Sequence, residues 1–235
     1  MRNKLLSSVL FLLVSNIFAA DIVAPDPKIL TGDDLASTAL WRGLHHNNDS
    51  LRKSMNDNIK AYAAAYIPEI YSKSNQNEVR LSQYTGDIIN VIADQVNAVQ
   101  DSNQIFIIEK EISVGEYNLN TGTFSATVPL VIYLPTNYAL TSLVHTLDIK
   151  YQNKITLKLD GQEDDDNKYL KKNLRMPKSE ALKYIDKYPN RTICVEYIVK
   201  DIQVNEPERK GIFGATDFIF AADIINYSFT RGPCA

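Results

Sequence analysis

Apolar residues change their spacing once along this chain, near Asp101, and that change limits the folds it can adopt. Upstream, they recur every three to four residues, which is typical of helices with one buried face. Downstream, they recur mostly at every second residue, as in strands whose side chains alternate between two faces. We therefore predict an α+β fold, with N-terminal helices packed on an antiparallel β-sheet and one short later helix.

The helical part is expected to contain one short helix followed by two longer helices with apolar stripes. Pro68 should disturb the end of the second helix. Asn75 followed by Glu78 resembles a capping box at the start of the third. The predicted helices cover residues 35–44, 51–67 and 77–100.

The strand-rich part is interrupted by turn-prone residues, including the run from Asn118 to Gly122. A change of apolar phase near Ile198 indicates a bulge. The last strand carries apolar residues on both faces, which predicts a central position in the sheet. Pro177 is expected near the first position of the later helix, which should end at Lys187. The predicted strands cover residues 104–112, 123–133, 144–151, 154–159, 192–204 and 216–229, with a tight turn at 152–153.

The first twenty residues resemble a secretory signal peptide. Arg2 and Lys4 supply the positive start, and the apolar run Leu5–Val14 follows them. This run is too short to span a bilayer. Ala20 is a small residue of the kind that a signal peptidase prefers at its cut site, and we expect residues 1–20 to be removed.

The domain layout follows from this leader. Residues 21–32, with two prolines and a glycine, are expected to form an extended lead-in, and residues 33–235 a single α+β domain. We expect an exported protein in the periplasm, with the extracellular medium as the alternative. Because bulky Phe18 or Ile17 occupies the position three residues before the cut, a permanent N-terminal anchor stays open as another interpretation.

The chain contains two cysteines, Cys194 and Cys234. In an oxidising compartment such a pair usually forms a disulfide, and two buried free thiols are the alternative. The bridge would close a loop of about forty residues, which the chain-entropy model values at up to roughly 4 kcal/mol. The two cysteines are too far apart for a CxxC redox motif, so the expected role is structural.

Charge and hydropathy exclude several classes of partner. Loss of Arg2 and Lys4 from the 25 basic residues leaves 23, against 28 acidic residues, so the net charge of the mature chain is −5. This mild acidity predicts no binding to nucleic acid or to anionic lipid. After the leader, no segment approaches eighteen consecutive apolar residues, so no membrane span is expected. The 45% hydrophobic content excludes a disordered chain.

The chain contains three histidines, a residue type that often serves as a catalytic base or a metal ligand. His45 and His46 are neighbours, which do not share a helix face, so they are expected to be solvated in a loop. His145 is expected to be a half-buried strand residue on the same face as Leu147.

Carboxylates are more numerous, but their patterns are weak. The run Glu163–Asp166 lacks the ligand spacing and the glycine of a calcium loop, so a solvated loop is expected, with weak cation binding left open. Glu109, Glu111 and Glu116 lie on or near predicted strands, and a glycosidase pair among them would depend on their separation in space.

Motifs for nucleophilic catalysis are weak too. There is no G-x-S-x-G elbow, and Ser50 with Lys53 fits S-x-x-K without its companion motifs. Aromatic residues in the helical part fit core packing, with a binding patch as the alternative. These aromatic residues are Trp41, Tyr62, Tyr66, Tyr71 and Tyr84.

These patterns nominate no catalytic residue, no metal ligand and no cofactor. The first hypothesis is a non-catalytic exported protein that binds a protein or a cell-envelope component. The alternative is a periplasmic hydrolase of an envelope polymer whose site assembles only in the fold. A secreted toxin or effector is a third hypothesis that the sequence does not separate from these.

Overall fold

The structure is a computed structural model that describes residues 26–44, 47–159, 168–205 and 217–234. The helices and strands are, in order, β1 (Lys28–Ile29), α1 (Gly32–Gly43), α2 (Asn48–Tyr66), α3 (Pro68–Lys73), α4 (Glu78–Leu81), α5 (Thr85–Gln100), β2 (Phe106–Ser113), β3 (Tyr117–Asn118), β4 (Thr123–Pro129), β5 (Val131–Tyr133), α6 (Tyr138–Thr146), β6 (Tyr151–Leu159), β7 (Tyr169–Arg175), α7 (Lys178–Lys187), β8 (Thr192–Asn205) and β9 (Phe218–Arg231).

Several sequence predictions lie outside the described residues. They are the signal peptide at residues 1–20, the first part of the lead-in, the pair His45 and His46, and the acidic run Glu163–Asp166. The end of the lead-in is described, and there Lys28 and Ile29 form strand β1 beside β2.

The strands form two sheets, and the predicted α+β class is confirmed. The larger sheet has six strands in the order β1-β2-β8-β9-β6-β5, and the smaller has three in the order β3-β4-β7. Most pairs are antiparallel, as predicted, but β1 with β2 and β6 with β9 are parallel. The larger sheet is therefore mixed. The reason lies in the connections: α1 to α5 separate β1 from β2, and three elements separate β6 from β9, so each pair is joined by a long crossover.

Two hydrophobic cores lie on either side of helix α1. Leu35 and Ala39 of this helix belong to the core of the sheets, whereas Ala36 and Leu40 belong to the core of the helices. The second core is closed by α2, α5 and α6, and Tyr62 of α2 is fully buried in it. The apolar stripes predicted for the two long helices are thus confirmed as buried faces.

Helix α6 replaces a predicted strand. The alternation over 144–151 indicated a strand, but Val144 and His145 lie in the last turn of α6, and β6 begins only at Tyr151. Leu140, Leu143 and Val144 are buried against the helical core, and this packing outweighs the local alternation. His145 is consequently an exposed helical residue, not a half-buried strand residue. Two later helices exist where one was predicted, and the expected turn at 152–153 lies inside β6.

The third predicted helix is divided. It consists of α4, a 3₁₀ turn over Ser82–Tyr84, and α5. Asn77 rather than Asn75 caps its start, because the Asn77 side chain accepts a hydrogen bond from the Arg80 amide at 3.1 Å. Pro177 is the N-cap of α7, one position before the predicted one.

Two predictions about the last strands are confirmed. The register of β8 against β9 shifts between Ile198 and Val199, where a bulge was expected. Strand β9 lies between β8 and β6, inside the sheet. None of the described helices is both long enough and apolar enough to cross a membrane.

Candidate functional site

A polar pocket of about 430 Å³ lies on the outer face of the three-stranded sheet. Here it is called the polar pocket. It is lined by Glu116, Tyr117, Asn118, Thr121, Thr123, Ser125 and Asn173.

The alternation of strand β4 supplies one wall of the polar pocket. Phe124, Ala126 and Val128 are buried in the sheet core, so Thr123 and Ser125 face outward. Ser125 pairs directly with Asn173 of β7, which places a hydroxyl beside an amide on the same face.

The β3–β4 turn supplies a second wall. The Asn118 side-chain oxygen accepts hydrogen bonds from the backbone amides of Asn120 at 2.9 Å and Thr121 at 3.2 Å. Such an Asx turn holds the loop in one conformation. Gly122 follows with a φ of 66°, a left-handed conformation that favours glycine. The turn predicted at Asn118 to Gly122 is therefore confirmed.

Gly115 brings Glu116 to the rim of the polar pocket. Its amide donates to the Ser125 carbonyl at 2.7 Å, and a side chain at this position would collide with the Ser125 hydroxyl. A larger residue at this position would therefore displace the Ser125 hydroxyl. Glu116 itself is exposed.

Some lining groups are already engaged and others are available. The Tyr117 hydroxyl donates to the Met176 carbonyl at 2.7 Å, and the hydroxyls of Thr121 and Thr123 share a hydrogen bond of 2.7 Å. Within the described residues, the side chains of Glu116, Ser125 and Asn173 make no hydrogen bond to the protein. These three groups can bind a ligand without breaking an internal contact.

The lining chemistry favours one class of ligand. Amides and hydroxyls donate and accept hydrogen bonds, and one carboxylate accepts them. Among the residues that the structure describes, no lysine, arginine or histidine lines the polar pocket itself, and the nearest cations on this face of β7 are Lys171 and Arg175, two residues to either side of Asn173. A hydrolase of the glycosidase type needs two carboxylates across the scissile bond, and the described residues of this lining include one, Glu116.

A second pocket of about 290 Å³ lies beside α7. Three of the four charged side chains in its lining have partners within the protein: Arg231 contacts Glu180 at 2.6 Å, and the Lys187 amine lies 5.1 Å from the centre of the Tyr188 ring. The Tyr184 hydroxyl donates to the Thr192 carbonyl. We consider it a weaker candidate than the polar pocket.

The structure contains the predicted disulfide between Cys194 and Cys234. It lies on the six-stranded sheet, where the Cys234 amide donates to the Glu111 carboxylate at 3.1 Å. The Glu109 carboxylate approaches both sulfur atoms to within 4.8 Å. Because both sulfurs are bonded to each other, this group is not a set of metal ligands.

The residues considered from sequence are widely separated. Glu116 lines the polar pocket, whereas Glu109 and Glu111 lie on the other sheet and His145 ends α6. Sequence reasoning missed Asn118, Ser125 and Asn173. The alternation of β4 places Thr123 and Ser125 on its polar face, which was the available signal for a polar surface. It does not reveal which strand pairs with β4.

The tyrosines of the helical part contribute mostly to packing. The Tyr62 hydroxyl is hydrogen-bonded to Ser54 at 2.9 Å, and burial raises the pKa of Tyr62 to about 12. Tyr66 is hydrogen-bonded to Ser37, whose hydroxyl also donates to Gln95, and burial raises the pKa of Tyr66 further. The core-packing interpretation therefore holds for these two residues.

Comparison with known proteins identifies a family. No curated protein and no solved structure matches the chain significantly. The family described as "Domain of unknown function (DUF4852)" matches residues 54–187, which is more than half of the chain. The matched segment includes every residue that lines the polar pocket and excludes both cysteines. The chain belongs to the DUF4852 family.

Proposed function

We propose that this protein is an exported, non-catalytic binding protein whose polar pocket holds an uncharged, hydroxyl-rich ligand of the cell envelope, such as a glycan. The observation that carries the proposal is the set of unengaged polar groups on Glu116, Ser125 and Asn173, which face one open concavity. Hydrogen-bonding groups fixed on a rigid sheet can orient a polyhydroxylated ligand.

Export is supported by two independent features. The leader pattern at residues 1–20 is typical of a secretory signal, and the disulfide between Cys194 and Cys234 is typical of an oxidising compartment. We place the protein in the periplasm, with the extracellular medium as the alternative. In this proposal residues 33–235 act as one α+β domain.

The ligand class follows from charge and shape. An anionic ligand would meet Glu116 without a compensating cation in the lining. A divalent cation would need more carboxylates than this lining offers. A sugar presents hydroxyls that both donate and accept, which matches the amide of Asn173 and the hydroxyl of Ser125. The open form of the pocket suits the end or the side of a chain rather than a fully enclosed molecule.

The test is a titration followed by NMR. The chain, purified from an export host, is titrated with neutral disaccharides such as maltose, cellobiose and N,N′-diacetylchitobiose. We expect at least one of them to shift the amide resonances of Ser125 and Asn173. The variant Asn173→Ala should weaken binding about tenfold, because it removes hydrogen bonds that the ligand would otherwise make.

A matched control comes from the same strand. Thr127 is exposed on the outer face of β4, two residues from Ser125, and does not line the polar pocket. Thr127→Ala should bind like the wild type. If no disaccharide shifts these resonances, or if Thr127→Ala and Asn173→Ala weaken binding equally, the polar pocket is not the binding site.

A further inference from the structure

The six-stranded sheet has a second face, here called the open face, that the hydrophobic cores do not include. In strand β2, Phe106 and Ile108 join the sheet core, and the residues between them point the other way. Ile107 is half-buried, and Glu109 and Glu111 are exposed. The alternation therefore places a largely accessible surface on the side away from the sheet core.

A row of isoleucines crosses the open face over four neighbouring strands. Ile29 pairs with Ile107, Ile107 pairs with Ile198, and Ile198 pairs with Asn226, next to Ile225 at the bulge. None of these isoleucines belongs to either hydrophobic core. Ile29 is 65% exposed and Ile225 is 49% exposed. A row of apolar side chains on an accessible face is typical of an interaction surface.

Carboxylates lie along one side of this isoleucine row. Glu109 and Glu196 are direct cross-strand partners, and Glu111 follows on the same face. Like charges directly opposite each other destabilise a sheet. No ion pair within the described residues includes Glu109 or Glu196. This repulsion would be relieved if a positively charged group from another molecule lay over the pair.

Lysines lie on the opposite side of the isoleucine row. Lys200 and Lys158 both pair with Asp223, which lies between them in register. The Lys200 amine is 3.4 Å from Asp201, and the Lys158 amine donates to Gln203 at 2.9 Å. This side therefore contains cations with their own acidic neighbours, whereas the strand residues described on the glutamate side include no cation.

From this arrangement we propose that the open face binds a second copy of the chain. A two-fold axis in the plane of the face and along the isoleucine row brings the two rows together. Because Glu196 and Lys200 lie on β8 two residues to either side of Ile198, the same rotation lays Glu196 of each protomer over Lys200 of the other. Such an isologous contact is self-complementary, as the interfaces of closed dimers are. It covers the apolar row and compensates the unpaired glutamates in a single step.

The first measurement is the mass of the purified full-length product in solution. Light scattering during size exclusion, or sedimentation, should give twice the 26.5 kDa chain mass, less the leader if it has been removed, at about 100 µM. The variant Ile225→Asp should raise the dissociation constant at least about tenfold. Leu182→Asp is the matched control, because Leu182 is 56% exposed on α7, away from the open face, and should leave the mass unchanged.

A charge exchange tests the geometry and does not depend on Ile225. The variants E196K and K200E should each be monomeric, because each places like charges across the two-fold axis. Mixed in equal amounts, they should form a heterodimer, because opposite charges then meet on both sides. Recovery of the dimer on mixing also shows that both variants are folded.

Three results would overturn the proposal. They are a monomeric wild type at about 100 µM, a dimer that Ile225→Asp and Leu182→Asp affect equally, and a mixture of the two charge variants that stays monomeric.

Discussion

The hydroxyl of Tyr197 donates a hydrogen bond to the carbonyl of Pro129 at 2.7 Å, and this contact joins the two sheets. Tyr197 is fully buried on β8 of the six-stranded sheet, and Pro129 ends β4 of the three-stranded sheet. Because β5 begins only two residues later, Pro129 is the point where the chain crosses from one sheet to the other. The Tyr197 side chain thus holds the crossover in place by a hydrogen bond to the backbone carbonyl of Pro129.

Removing this hydroxyl should destabilise the fold without changing its shape. Tyr197→Phe leaves the Pro129 carbonyl without its partner, which costs about 1–2 kcal/mol. Urea unfolding measures this as a lower midpoint with an unchanged slope. Tyr138→Phe is the control, because Tyr138 is 85% exposed and should have no effect. Equal midpoints for Tyr197→Phe and the wild type would contradict the role of this contact.

Reduction of the disulfide should lower the free energy of unfolding. The bridge spans a sequence separation of 40 residues, and the chain-entropy model values such a loop at about 4 kcal/mol at most. Urea unfolding with and without dithiothreitol measures the difference. The double variant C194A/C234A should have the same free energy of unfolding as the reduced protein, and dithiothreitol should not change it. A wild type that is equally stable in both conditions would refute the prediction.

The buried tyrosines predict a loss of stability at alkaline pH. Burial raises the pKa of Tyr62 to about 12 from its ordinary value of 10.0, so the folded state holds this proton more tightly than the unfolded state does. The stabilisation is therefore complete below pH 10 and is lost as the pH rises towards 12.

Unfolding experiments at pH 9 and at pH 11 check this dependence. The variant Tyr62→Phe cannot ionise at this position, so it should lose less stability between the two values than the wild type. Tyr138→Phe, at an exposed position, should behave like the wild type. If Tyr62→Phe loses as much as the wild type, another group governs the alkaline transition.

Export predicts a defined amino terminus. Intact mass spectrometry of the protein from an export host should show loss of residues 1–20, so that Asp21 becomes the first residue. The same sample should be two mass units lighter than its reduced form because of the disulfide. An intact leader on soluble cytosolic protein with free thiols would exclude both the export and the envelope role.

Local periodicity was sufficient for the buried face of the second predicted helix. The stripe that includes Leu51, Met55 and Tyr62 reads directly as one helical face, and the structure buries it. It failed at Val144, where a short apolar run fits a strand and a helix equally well. The choice between them depends on the helical core that Leu140 and Leu143 reach, and a local pattern does not contain that information.

The polar pocket could not be predicted from local sequence patterns, for a related reason. Its wall at Ser125 needs Asn173 as the cross-strand partner, and the two residues lie on strands that are far apart in sequence. Strand β7, which contains Asn173, is mostly exposed and carries a run of lysines, so it has no apolar alternation to mark it. The disulfide was predictable because only two cysteines exist.

Among the strands that the structure describes, β9 alone links β8 to β6, and it follows all of the others in the sequence. A chain that emerges from its amino end first therefore presents β6 and β8 as two unpaired edges until β9 arrives between them. Assembly of the larger sheet must wait for this final insertion. Any factor that shields nascent chains would have its greatest effect during that interval.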